Sequence, residues 1–173
     1  MQPPQNPAGE YVPEKNLSSE RRNQLIAQIE AAPAALRKAV EGLSQDQLDT
    51  KYRNWTIRQI VHHLPDSHVH CYVRFKWALT EDVPTIKPYD ETKCADLVDS
   101  RTGDIRMPLA LLEAVHARWV QLMRSMTEEQ FSRSYFHPEM GRTVTLNEAV
   151  GSYAWHGRHH TGQIAWIREQ RGW

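Results

Sequence analysis

Apolar residues recur every three or four positions along most of this 173-residue chain, a spacing that places them on one face of an α-helix. The first such run begins after Ser19. It comprises Leu25, Ile29, Ala32, Leu36, Val40 and Leu43. Pro33 lies inside the run, where it lacks an amide donor and should bend the backbone. We therefore predict one bent helix over residues 19–43 that ends near Gly42.

The second run is preceded by a helix start signal. Thr56 and Gln59 have the spacing of a capping box, in which each side chain accepts a hydrogen bond from the other residue's backbone amide. The apolar positions that follow continue to Leu79, so we predict a second helix over residues 57–79. Pro65 lies within this helix and should bend it.

Two more helices are predicted in the second half of the chain. The third carries its apolar face over residues 109–126, and the fourth begins at another pair with capping-box spacing, Thr145 and Glu148, and stops at Gly172. Four amphipathic helices without strong strand patterns favour an all-α four-helix bundle, formed by a single domain over residues 1–173.

The segments between these helices differ in composition and length. They are predicted as an extended arm over residues 1–17, an irregular loop over 81–91, a short helix over 93–99, a helical turn after Thr127 and an irregular or hairpin-like segment over 132–146. The tryptophans at positions 55, 119 and 155 are assigned to packing alone.

The charge balance argues against two classes of partner. Lysine and arginine together number 21, as do aspartate and glutamate, and the basic residues form no stripe that would neutralise nucleic acid or an anionic membrane. The sequence begins without a secretory signal and contains no apolar run long enough to span a bilayer. Cys71 and Cys94 form no CxxC pair, so we expect free thiols and a cytoplasmic location.

Three histidines have the spacing of a metal site. His156 and His160 lie one turn apart in the fourth helix, where two imidazoles can reach one ion. His63 lies beside the apolar stripe of the second helix, and bundle interiors are where facing helices assemble metal sites. Three imidazoles suit a divalent transition metal and leave a coordination position open, so we expect zinc, with nickel as the alternative.

Other polar residues near these positions have weaker claims. Asp66, one turn after His63, could accept the second N–H of a ligand imidazole, although a solvated carboxylate paired with an arginine is the ordinary interpretation. His159, His62 and His68 could orient ligands or substrate, or simply hydrogen-bond in the core. His70, His116 and His137 have no partner at helical spacing and are assigned structural roles.

Nearly the whole chain resembles a known family. The segments that carry the resemblance include GEYVPE, RNWTIRQIVHHLPDSH, PTIKPYDE, LLEAVHARWVQL, GRTVTLNEAVGSYAWHGRHHTGQIAWI and the terminal RGW. They are similar to the DinB-like superfamily of four-helix metalloproteins, and within it to the YfiT-type branch of metal-dependent hydrolases, which includes bacillithiol transferases. The family's ligand positions match His63, His156 and His160, and family members look like homodimers.

The resemblance implies an enzyme acting on a small molecule. We expect a metal-dependent hydrolase in which the ion activates a water molecule and polarises a carbonyl. A low-molecular-weight thiol such as bacillithiol could instead occupy the open position, which would make the chain a thiol S-transferase. A stress-response protein whose metal stabilises the fold without turnover is the third alternative.

Overall fold

The computed structural model describes residues 2–14 and 17–173, and most of these residues lie in helices. Four helices are long: α1 (Ser19–Val40), α3 (Ile57–Thr80), α6 (Arg106–Arg124) and α8 (Leu146–Arg171). Four are short: α2 (Gln45–Leu48), α4 (Glu91–Ala95), α5 (Val98–Thr102) and α7 (Glu128–Ser132). Helix α1 packs against α8 and α6, and α3 packs against α6 and α8, which confirms the predicted four-helix bundle.

The long helices begin at the residues that the sequence indicated. Thr56 accepts a hydrogen bond from the Gln59 amide and the Gln59 side chain accepts one from Thr56, so the capping box of α3 is complete. Thr145 likewise caps α8 by accepting from the Glu148 amide. The Glu148 carboxylate does not return the bond, because it pairs with Arg142 instead. The prediction of a complete capping box at α8 is therefore wrong, because only the hydrogen bond from the Glu148 amide to Thr145 forms.

The helix ends follow from backbone geometry. Helix α1 ends at Val40, three residues before the predicted end, and Gly42 then adopts a left-handed conformation at φ +76°. Gly172 caps α8 with φ +68°, as predicted. Pro33 and Pro65 lie inside α1 and α3, which continue through them, so neither proline divides its helix.

Two small antiparallel hairpins interrupt the helical chain. The segment predicted to be hairpin-like pairs β3 (Ser134–His137) with β4 (Arg142–Thr145), across a 3₁₀ turn at Pro138–Met140. A second hairpin, β1 (Lys51–Tyr52) with β2 (Trp55–Thr56), was not predicted, because two-residue strands carry no detectable alternation. The predicted helix over residues 93–99 is wrong: α4 and α5 are separate single turns, divided where Leu97 is extended at ψ 158°.

The arm over residues 2–14 contains no helix or strand and is bound to the bundle by hydrogen bonds. Trp155 Nε1 donates to the Gly9 carbonyl at 2.8 Å, and the Tyr52 hydroxyl donates to the Pro4 carbonyl. The arm's remaining predicted residues, 1 and 15–16, lie outside the described part of the chain. Among the helices that the structure describes, none is both long and apolar enough to cross a membrane.

The core consists of two apolar clusters with histidines between them. One cluster combines the second half of α3 with the start of α8, around Phe75, Trp119 and Val150. The other combines the start of α3 with the end of α8, around Ile60 and Ile164. Between these clusters, α3 carries the histidines from position 62 to 68 and α8 carries those from 156 to 160. The imidazoles therefore form a polar layer across the middle of the bundle.

Candidate metal centre

The three histidines selected from sequence spacing converge in the structure. The Nε2 atom of His156 lies 3.3 Å from Nε2 of His63 and 3.1 Å from Nε2 of His160. One ring nitrogen from each of the three lies within 4.8 Å of the other two. His63 comes from α3, and the other two come from adjacent turns of α8. No other group of three such side chains in the described residues meets the same distance condition.

These separations fit the coordination shell of a transition metal. Zinc–nitrogen bonds of about 2.1 Å at tetrahedral angles place two ligand nitrogens about 3.4 Å apart. The two Nε2–Nε2 distances in the structure lie close to that value. The donor set of three imidazoles suits divalent transition metals and leaves a position for water or substrate.

Gln163 fixes the tautomer of His160. The amide oxygen of Gln163 lies 2.8 Å from Nδ1 of His160, so that nitrogen carries the hydrogen and donates it. The Nε2 lone pair of His160 is then free to bind an ion. The amide nitrogen of Gln163 lies 2.9 Å from Nε2 of His159, which accepts from it. His159 therefore acts on the site through Gln163.

A chain of three imidazoles fixes the tautomer of His156. His116 Nδ1 lies 2.6 Å from the carbonyl oxygen of Ile29, which can only accept, so His116 Nδ1–H is the donor. His116 Nε2 must then accept from His68 Nδ1 at 2.7 Å, and His68 Nε2 accepts from His156 Nδ1 at 3.1 Å. Each bond determines the next one. The Nε2 lone pair of His156 is left facing His63 and His160.

Burial keeps the imidazoles neutral. Desolvation, reinforced by His159, lowers the pKa of His63 to about 4. Desolvation and the neighbouring imidazoles hold the pKa values of His156 and His160 well below the ordinary value. Neutral imidazole is the form that binds a metal, so all three rings are ready as ligands at neutral pH.

Asp66 and His62, two further candidates from the sequence, lie outside the group of three histidines. Asp66 lies half-buried on α3, and burial together with Asp99 raises its pKa, but it forms no hydrogen bond to a histidine in the described residues. Gln163 and His68 hold the Nδ1 atoms of His160 and His156, so a role for Asp66 as acceptor from a ligand imidazole stays a prediction for His63 alone. His62 lies near the Gly103 backbone, outside the group of three ligands.

Sequence reasoning missed three side chains around the centre. Trp55 was assigned no role, yet its ring lies 4.6 Å from that of His63 and stacks at 6.2 Å over that of His160. Gln163 was overlooked, although its place three residues after His160 was a visible signal. His116 was treated as isolated, and no spacing could have revealed its bond to His68, because the two residues lie on different helices.

Sequence comparison identifies the family of this chain and several of its relatives. Residues 28–164 match the sequence profile of the DinB superfamily. A Bacillus subtilis (strain 168) protein named "Putative metal-dependent hydrolase YfiT" is 46% identical over 169 residues, which cover 96% of this chain and 95% of that protein. A Bacillus cereus (strain 03BB102) protein with the same description is also 46% identical over 169 residues, covering 96% of each chain.

Solved structures show the same architecture. The YfiT structure from Bacillus subtilis, described as a probable metal-dependent hydrolase with an unusual four-helix bundle topology, superposes with a TM-score of 0.94 at 45% identity over 97% of each chain. A mycothiol-dependent maleylpyruvate isomerase superposes with a TM-score of 0.66 at 16% identity, over 83% of this chain and 60% of that one, and shares the fold alone. By sequence and by structure, this chain belongs to the DinB superfamily.

Proposed function

We propose that this chain is a metal-dependent hydrolase of a small-molecule substrate, with His63, His156 and His160 as the ligands of one divalent ion. The observation that carries the proposal is the convergence of the three rings: Nε2 of His156 lies 3.3 Å from that of His63 and 3.1 Å from that of His160. The Nδ1 atoms of His156 and His160 are both held as donors. The names of the relatives support metal-dependent hydrolysis as the class of reaction.

Zinc is the ion we favour, with nickel as the alternative, because three neutral imidazoles suit both. A divalent ion supplies Lewis acidity, which polarises a substrate carbonyl and activates a water molecule for attack. The residues of the chain orient the site: His68 and Gln163 hold two of the rings, and Trp55 covers His63 and His160.

Two alternatives use the same ligands. In a thiol S-transferase, the sulfur of a low-molecular-weight thiol would take the open position and attack an electrophile. In a metal-stabilised protein without turnover, the ion would serve the fold alone. The three proposals differ in what is turned over and in what the ion stabilises, so one set of measurements can separate them.

The first measurement is metal binding. Zinc and nickel are titrated into the chelator-treated protein in competition with a chromophoric chelator. We expect one ion per chain, and we expect His160→Ala to weaken zinc binding at least a hundredfold. His70→Ala is the matched control, because His70 lies on α3 and stacks on Tyr89, away from the three ligands. Equal affinities of wild type and His160→Ala would refute the assignment of the centre.

The second measurement is turnover by the zinc-loaded protein. Ester and amide substrates test hydrolysis, and monochlorobimane with bacillithiol or glutathione tests thiol transfer. Hydrolysis that is lost in His160→Ala supports the first proposal, and thiol-dependent conjugation would replace it with the second. An ion whose removal lowers the unfolding temperature, in a protein without either activity, would identify the third.

Three further predictions accompany the function. The homodimer implied by the family is checked by light scattering of the purified chain. The assignment of residues 1–173 to one domain is checked by the cooperativity of urea unfolding. The cytoplasmic location predicted from Cys71 and Cys94, both of which are free thiols in the structure, is checked by cell fractionation.

A further inference from the structure

A cavity of about 370 Å³ lies beside the metal centre and includes His156 in its wall. Five parts of the fold build it: helices α3, α4 and α8, the β3–β4 hairpin and the arm. The side chains that matter here are Arg74, Tyr135, Tyr153 and His156. Three tyrosines, Tyr11, Tyr135 and Tyr153, give the cavity an aromatic surface, and His156 connects it to the proposed ion. It is therefore the natural place for the part of a substrate that does not react.

Arg74 differs from the other buried arginines in having no carboxylate partner. Only 7% of its surface is exposed, comparable to 4% for Arg22 and 4% for Arg58. Arg22 pairs with Glu128, and Arg58 pairs with Asp49 at 2.8 Å. Within residues 2–14 and 17–173, no carboxylate lies within ion-pair distance of Arg74.

The other charged groups of the cavity leave this guanidinium available. Arg142 is neutralised by Glu148, whose carboxylate oxygen lies 2.9 Å from its Nη1 atom. Glu91 also lines the cavity, and Arg74 acts on its pKa from a distance, but the two form no ion pair. The Tyr135 ring centre lies 6.0 Å from Cζ of Arg74. Burial raises the pKa of this phenol and outweighs Arg74, which acts to lower the pKa, so Tyr135 is a neutral polar neighbour of Arg74 and not a counter-charge.

A buried cation without a counter-charge is costly, and an arriving anion removes that cost. The planar guanidinium also matches a carboxylate through two parallel hydrogen bonds. We propose that the cavity binds a substrate with a carboxylate group, which Arg74 holds while the reacting bond lies toward His156. This inference rests on the proposed function for the reaction, but the anion site itself can be tested without turnover.

The test compares two probes of the same shape, benzoate and benzamide, which differ in charge. Each is titrated into zinc-loaded protein and followed by NMR chemical shifts. We expect wild type to bind benzoate more tightly than benzamide. Arg74→Gln should weaken benzoate binding by about ten- to a hundredfold, the usual loss for a hydrogen bond to a charged group, and leave benzamide unchanged.

Two controls identify where the anion binds. Arg118→Gln removes an exposed arginine outside the cavity and should leave both probes unaffected. His160→Ala should lose zinc yet retain benzoate binding, because Arg74 is intact. Arg74→Lys keeps the charge but loses the bidentate geometry, so we expect an intermediate affinity, and it replaces the glutamine variant if that variant does not fold.

Two outcomes would overturn the inference. One is equal affinity of wild type for benzoate and benzamide. Another is benzoate binding that survives in Arg74→Gln but disappears in His160→Ala, which would mean that the anion binds to the ion. Failure of His160→Ala to lose zinc would refute the proposed metal centre and would leave the Arg74 site standing.

Discussion

His116 donates a hydrogen bond from Nδ1 to the carbonyl oxygen of Ile29 at 2.6 Å, and this bond determines which nitrogen of His156 is free. The effect passes through His68, whose two ring nitrogens contact His116 and His156. A backbone oxygen of α1 thereby controls a ligand on α8, through side chains of α6 and α3. Hydrogen bonds to the second nitrogen of a ligand imidazole typically raise metal affinity by 10- to 100-fold.

Replacing His116 with phenylalanine should weaken zinc binding by about tenfold without removing a ligand. The substitution leaves His68 Nδ1 without its acceptor, so His68 and then His156 can adopt the other tautomer. Competition with a chelator measures the affinity, and ¹⁵N NMR of the imidazoles reports the tautomers directly. Unchanged ¹⁵N shifts at His156 would show that the hydrogen-bond chain does not act in solution.

Replacing Gln163 with leucine should also weaken zinc binding by about tenfold, because His160 Nδ1 then loses its acceptor. His159→Ala should have a smaller effect, since His159 contacts Gln163 and is not proposed as a ligand. Zinc titration of both variants gives the comparison. A larger loss of zinc affinity in His159→Ala than in Gln163→Leu would contradict the proposal that His159 acts on the site through Gln163.

Acid should destabilise the metal-free protein below pH 6.5. Burial lowers the pKa of His116 to about 4 from an ordinary value of 6.5. Between these values the unfolded chain binds a proton that the folded chain does not, so the stabilisation present above pH 6.5 is lost as the pH falls to 4. The loss for His116 is about 3 kcal/mol. Urea unfolding at several pH values measures the free energy of unfolding, which should fall less steeply with acid in His116→Phe than in wild type. Equal pH dependence in the two proteins would argue against the contribution of His116.

The two cysteines should differ in reactivity toward a disulfide reagent. Cys71 is fully buried, and burial raises the pKa of its thiol, whereas Cys94 is partly exposed. At pH 8 the native protein should quickly release one equivalent of chromophore, from Cys94. The unfolded protein should release two equivalents, because both thiols are then accessible. Cys94→Ser should abolish the fast phase, and a fast phase that persists would show that Cys71 is accessible.

The long helices were predictable because their signals are local. Ser19–Val40 and Leu146–Arg171 follow apolar stripes with capping residues at adjacent positions in the sequence. The division of α4 from α5 was not predictable, because a single-turn helix depends on tertiary contacts more than on periodicity. The β1–β2 hairpin was missed for the same reason, since its two pairs are too short to show alternation.

The site was predictable only in part. His156 and His160 share a helix, so their spacing placed them on one face, and the position of His63 beside the apolar stripe of α3 made it the third candidate. The hydrogen-bond chain from His156 through His68 to His116 crosses three helices, and the cavity that joins Arg74 to His156 combines five segments. Such long-range contacts have no signature in one sequence.

Two apolar clusters pack α3 against α8 on either side of the imidazole layer, and neither cluster includes His63, His156 or His160. The side chains that pack the bundle are therefore separate from those that would hold the ion, unlike the case of zinc fingers, which fold only around their metal. We therefore expect the ion to exchange while the protein stays folded, so that cellular supply determines which metal it carries.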